Sequence, residues 1–311
     1  MAANAEVQVY HPLFSLDSQD SNVVYVTLRS KETPATYFSV PPFVLRRTSG
    51  YFFGVLDPTR VDNFPIPLDE PAPLLVLALS ILCGLVPTSK EDKEHCDLKN
   101  LDTVESLFDL SQRWDAPALA SRVRDAISSL PLAENADPIR SYALATRAGW
   151  GQLARDAARR TLVLPLFNFE DEKVQKQLHG LSTTALLRLF AFHRKRRDSL
   201  DQMLRGKARE NEALVVLDQE LVVGRCKKCG EVQATARGLW IEYCSRISVE
   251  MDVRPLGDKV VGLAADAWNE ALACWSAECG GPNCPGEKTF DREKILLEIQ
   301  RCISTLPDDF E

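Results

Sequence analysis

Residues 23–56 read VVYVTLRSKETPATYFSVPPFVLRRTSGYFFGVL. Residues 23–30 are dense in β-branched and aromatic side chains, and 36–40 (TYFSV) repeat that character after the turn-forming KETPA, so the pair reads as a hairpin. Pro41 and Pro42 suit the first turn of a helix, where a missing N–H leaves no bond unmade. Phe43, Leu45, Tyr51, Phe52, Val55 and Leu56 follow as candidate core positions, and Gly50 is expected to divide the run into two short helices. FPIPL at 64–68 alternates proline with apolar residues, which predicts an edge strand because proline cannot donate to a ladder.

From there the pattern turns helical. Residues 71–84, 101–113 and 116–130 carry apolar side chains at three- and four-residue spacing, with Asp115 placed to cap the third helix and Pro117 in its first turn. The apolar stretch 74–86 would rise only about 20 Å as helix, short of a hydrocarbon core of roughly 30 Å, so it reads as a buried helix. Residues 137–148 and 150–164 form another helical pair, and 182–209 a longer helix with Leu186, Leu187, Leu189, Phe190, Phe192 and Leu200 on its apolar side. A boundary is expected near 205–225. Helices at 233–251, 262–275 and 291–306 follow.

The 311 residues, 45% hydrophobic and 26% charged, hold enough apolar material for two or three cores and exclude disorder as the main state. With 37 basic against 44 acidic side chains the net charge is −7, which disfavours broad binding to nucleic acid or anionic membranes. The opening MAANAEVQVYHPLF lacks the basic and apolar regions of a secretory signal. An intracellular protein, cytoplasmic or nuclear, is therefore expected.

Nine cysteines in a chain expected in a reducing compartment do not read as a disulfide framework. Cys226-Lys-Lys-Cys229-Gly230 is a knuckle that projects two thiolates toward one point, and Cys279-Gly-Gly-Pro-Asn-Cys284-Pro-Gly is a second tight turn. Together they predict a four-sulfur zinc site, provided a helical hairpin closes the fifty positions from Cys229 to Cys279; Cys274 and Cys244 are possible substitutes. Two other readings stand beside zinc: loose surface thiols, and a redox dithiol at Cys226 and Cys229. Cys83, Cys244 and Cys302 fall in helical patterns as core residues.

His193-Arg-Lys-Arg-Arg197 is the one dense basic run, readable as a nuclear-import address, a phosphate contact or a solvated helix face. G-x-S-x-G, H-E-x-x-H, Walker-type and G-x-G-x-x-G signatures are absent. The adjacent His95 and Cys96, in a polar loop, are not held as a nucleophile pair needs. An enzyme is the weaker class.

The ordered set VTLRS, YFSVPPFVLRRTSGYFFGVL, FPIPLDEPAPLLVLALSIL and VESLFDLSQRWDAPALASRVRDAI resembles a BTB/POZ domain, most of all the divergent BTB proteins expanded in mushroom-forming fungi. Asp69-Glu70 after the short strand and the turn Trp114-Asp115-Ala116-Pro117 match features of that family. SYALATRAGWGQLARDAARRTLVLPL is similar to its following helical region, and Trp240 and Tyr243 after the C-x-x-C fit its tail. Departures occur at Tyr25, where many members have Asp, and at Val40-Pro41-Pro42 in place of V-H-K; both bear on the usual dimer interface. The resemblance implies an α+β fold with a BTB/POZ-like domain at 8–132, a helical extension at 133–210 and a cysteine-containing helical tail at 220–306. It implies a non-enzymatic adaptor with protein partners, by self-association or through a cullin-type ligase; the net charge of −7 weighs against a nucleic-acid partner, and the short apolar stretch 74–86 predicts no membrane span. The alternatives are a nuclear regulator contacting chromatin and a thiol oxidoreductase.

Overall fold

The computed structural model describes residues 8–15, 23–56, 64–86, 89–90, 92, 97–129, 137–168, 170–205, 223–231 and 233–308. Two compact units divide the chain, residues 1–137 and 138–311, and the fold is mixed α+β. The His95–Cys96 pair, and the part of the expected boundary at 206–222, lie outside the described residues. Among the described residues no helix is long and apolar enough to cross a membrane.

In the first unit, β1 (Val9–Tyr10), β2 (Val26–Arg29), β3 (Thr36–Val40) and β4 (Ile66–Pro67) form one sheet in the order β1-β3-β2-β4. The hairpin is antiparallel, with Leu28 opposite Phe38, and β4 pairs in parallel with β2 as an edge strand, the position its prolines favour. β1 pairs in parallel with β3. Just after it, buried Phe14 meets Phe38 edge-on at 5.6 Å between ring centroids.

Two short helices follow, α1 (Pro42–Thr48) and α2 (Gly50–Val55). The break falls at Ser49, not Gly50: Ser49 is extended, its hydroxyl accepts from the Phe52 N–H at 3.3 Å and donates to the Trp114 carbonyl at 2.6 Å. Gly50 is needed for close approach. A Cβ there would stand 2.2 Å from Asp115 Oδ2, and the Gly50 N–H donates to the Asp115 carbonyl at 3.0 Å. Asp115 itself adopts a left-handed φ of 46°, its carboxylate against Gly50 and not in the capping role its sequence position implies. Gly50→Ala is therefore expected to cost about 1–3 kcal/mol in denaturant unfolding, and less in an Asp115→Gly background that removes the collision.

Of the six core positions expected in α1 and α2, Leu45, Phe52 and Leu56 are buried. Phe43, Tyr51 and Val55 face solvent, as does Phe53; Phe43 is 64% and Phe53 63% exposed. One or two turns of helix present a single inward stripe, and apolar residues outside it have nowhere inside to go. α3 (Ala72–Cys83) is the reverse case, apolar all round and buried at 75–80 and 82. α4 (Leu101–Arg113) and α5 (Pro117–Ser129) pack as a pair. Glu70, nearly buried, accepts from Arg113 Nη2 at 2.9 Å and so ties the end of β4 to the end of α4.

The second unit is helical: α6 (Pro138–Arg147), α7 (Gly151–Thr161), α8 (Glu172–His179), α9 (Thr183–Arg205), α10 (Ala234–Val253), α11 (Leu263–Asp266), α12 (Asn269–Ser276) and α13 (Arg292–Ser304). α6 and α7 form the expected pair, and Tyr142 Oη donates to the Ala185 carbonyl of α9 at 3.0 Å. Leu187, expected on the apolar side of α9, is exposed. The helix expected at 262–275 is two pieces, because Trp268 turns extended between them. That turn sets its ring 6.4 Å from Tyr243 and beneath Arg246, while Trp275 Nε1 donates to Asp266 at 3.1 Å. Cys244 and Cys302 lie in the core as expected, beside Trp240, Tyr243, Ile247 and Ile299.

The basic run of α9 is a solvated face only in part: Arg194 and Lys195 are exposed, Arg197 is half-buried, and His193 and Arg196 are buried. Arg196 is buried, donating from Nε to the Pro255 carbonyl at 3.1 Å and from Nη1 to the Pro307 carbonyl at 2.8 Å and Asp308 Oδ1 at 2.9 Å. Arg197 pairs with Asp252 at 2.9 Å, and Arg194 lies over the Phe167 ring. His193 is buried with Nε2 2.8 Å from Thr161 Oγ1. Burial, reinforced by the Arg196 charge, pushes its pKa down to about 3. The unfolded chain takes up a proton near pH 6.5 that the folded chain refuses, so stability is full above that pH and falls toward pH 3 by about 1.4 kcal/mol per unit. Between pH 7 and 5 urea unfolding should lose about 2 kcal/mol more for the native chain than for His193→Gln.

Candidate metal centre

The first knuckle closes on itself. The Cys226 N–H donates to the Glu231 carbonyl at 3.0 Å and the Gly230 N–H to the Cys226 carbonyl at 2.9 Å. Gly230 takes a φ of 74°, a conformation a side chain would resist, and this turns the chain back beneath the two thiols. The second knuckle closes likewise, with Cys279 N–H to Glu287 O at 2.8 Å and Cys284 N–H to Gly281 O at 3.0 Å. It is steadied by a bridge between Glu278 and Lys288, whose side chains also pair at 2.9 Å.

The helical elements expected to join the knuckles are present. α10 starts just after the first knuckle and packs against α12, which ends just before the second. Phe290, following the second knuckle, lies 6.4 Å from the Trp240 ring and 6.5 Å from the Trp275 ring. Lys227 reaches across to Asp291 at 2.7 Å, and Asp291 in turn caps α13. The Lys227 ammonium holds the Asp291 carboxyl below its usual range.

The outcome is a cluster of four sulfurs. Cys226, Cys229, Cys279 and Cys284 place their Sγ atoms within 4.8 Å of one another, and Cys229 Sγ is 3.7 Å from Cys279 Sγ. A disulfide needs about 2.05 Å, and the four are free thiols. A tetrahedral ion with sulfur ligands at about 2.3 Å sets adjacent sulfurs about 3.8 Å apart, close to the 3.7 Å between Cys229 and Cys279. Three of the cysteines are buried and Cys229 is exposed.

Charge argues the same way. The N–H groups of Cys229 and then Lys228 pull the Cys226 thiol down to about 7, aided by the Cys229 and Cys279 thiols. Burial pushes Cys284 up to about 12, with the Cys226 and Cys229 sulfurs adding to it. At Cys279 the Gly281 N–H pulls down, but burial and the neighbouring thiols leave it raised. Four thiols this close resist ionising together until a cation takes up their charge. The residues fit a metal ion and could hold one.

Cys244 and Cys274, the possible substitutes, are elsewhere. Both sit in the apolar core, where burial raises their thiols, Cys274 to about 12. One contributor lacked a sequence signal: Gln233, at the start of α10, donates from Nε2 to Cys279 Sγ at 3.3 Å and accepts from the Gly280 N–H at 3.4 Å. Its carboxamide grips the second knuckle from the start of the helix that follows the first, and only the folded backbone brings it there. No protein-family model matches the chain, and no curated protein matches it.

Proposed function

We propose that this chain is a non-enzymatic protein-interaction protein, an adaptor whose BTB/POZ-like module (8–132) and helical extension (133–210) are followed by a tail (220–306) stabilised by structural zinc. The observation that carries the reading is the exposed aromatic surface of the first unit. Phe43, Phe53 and Phe64 are 64%, 63% and 82% exposed on a small sheet-and-helix unit that already has a full core of its own. Large apolar side chains kept in water beside a complete core mark a surface that meets another protein. The order of hairpin, two short helices, edge strand with a buried Glu70 and the Trp114–Asp115 turn supports the BTB/POZ-like assignment.

Zinc is the ion that suits four cysteine sulfurs in a closed site with no position left for substrate. Such a site orders a tail. The burial of His193 and Arg196 weighs against a chromatin-contacting regulator, and the pooling of Cys226 and Cys229 with two further thiols weighs against a dithiol oxidoreductase. Affinity purification of the intact chain from its own cells, with bound proteins identified by mass spectrometry, tests the role. Reproducible recovery of a cullin or ligase subunit, lost on Phe43→Ser with Phe53→Ser, is expected. Retention only on nucleic acid, with a steep salt dependence, would overturn it.

A further inference from the structure

The four sulfurs are not equivalent. Cys279 Sγ accepts from the Gly281 N–H at 3.4 Å and from Gln233 Nε2 at 3.3 Å, and Cys226 is buried. Cys284 is buried. Cys229 alone of the four is exposed, and among the described residues no N–H donor reaches its sulfur. Hydrogen bonds to a metal-bound thiolate draw off the electron density an electrophile would attack, and burial keeps the electrophile away. Both protections are missing at Cys229, and a partner sulfur, that of Cys279, is 3.7 Å distant.

We infer that Cys229 is the oxidant-reactive sulfur of the cluster, and that a peroxide converts Cys229 and Cys279 to a disulfide and discharges the metal. The inference rests on the zinc reading above. In the first step the Cys229 sulfur attacks one oxygen of hydrogen peroxide, the O–O bond breaks, and the departing hydroxide takes a proton from solvent to become water. Cys229 is then a sulfenic acid, oxidised by two electrons. The Cys279 thiolate attacks that sulfur, an S–S bond forms, the S–O bond breaks, and the second hydroxide leaves as water after protonation. Two thiolates, one peroxide and two protons thus give one disulfide and two waters. The site, reduced to Cys226 and Cys284, no longer closes around the ion.

The test treats the purified, metal-loaded chain with stoichiometric hydrogen peroxide. Released metal is followed with a chromogenic chelator, and cysteine states are mapped by differential alkylation and mass spectrometry. Metal release should run in parallel with one disulfide, mapped to Cys229 and Cys279, and dithiothreitol with added zinc should restore the starting state. Cys229→His keeps a zinc ligand and should release metal more slowly by about tenfold or more. If that variant does not fold, the order of cysteine oxidation in the native chain decides alone. Metal that stays bound under peroxide, or a first lesion at Cys226 or Cys284, overturns the inference and leaves the zinc reading intact. A chain purified without metal overturns both.

Discussion

Removing the metal with a strong chelator is expected to lower the melting temperature of residues 138–311 by about 10 °C or more, and Cys284→Ser should do the same. The reason is the reach of the site. The two knuckles bracket α10 and α12, and Phe290 extends from the second to the Trp240 and Trp275 rings. Without a cation, the buried thiols of Cys226, Cys279 and Cys284 are left as a group whose neutral forms make poor bonds and whose charged forms repel. Loosening them frees both ends of that core. Tryptophan fluorescence is the direct readout, since Trp240, Trp268 and Trp275 all belong to it. Chelator added to Cys284→Ser should change little further, because the variant has already lost the site. An equal melting temperature with and without chelator would mean the thiols are passive.

Arg196→Met is expected to cost about 2–4 kcal/mol, whereas Lys195→Ala, one residue away, should stay within about 0.5 kcal/mol. Arg196 is the only side chain among the described residues that joins the Pro255 carbonyl to the Pro307 carbonyl and Asp308, and methionine fills its volume without replacing those donors. Most of the loss comes from carbonyls left unsatisfied, since Asp308 is 65% exposed and can return to water. Urea titrations of the two variants and the native chain measure the difference. A small loss for Arg196→Met would return the basic run to a surface role.

The parts legible beforehand are those with strong local signals. The hairpin announces itself through β-branched residues around a turn, α4 through unbroken helical spacing, and the four clustered cysteines through the turn-forming residues that hold them. Structure that depends on distant partners was hidden. β1 is two residues long and shows no period; it exists because β3 offers an open edge. α8 has only Val174 and Leu178 to bury, and owes its start to the Asp171 cap. Phe43, Tyr51 and Val55 look like core by composition, and only the docking of α2 on the Trp114–Asp115 turn decides which stripe points inward. The basic run misleads for a related reason, because a charged side chain reads as exposed until the carbonyls that bury it are known. Gln233 is legible only once both knuckles are placed.

X-ray absorption at the zinc edge on the purified chain tests the metal centre most directly. The account predicts one zinc per chain with a first shell of four sulfurs at about 2.3 Å. Absence of zinc, or a shell in which nitrogen or oxygen replaces two or more of the sulfurs, would contradict it.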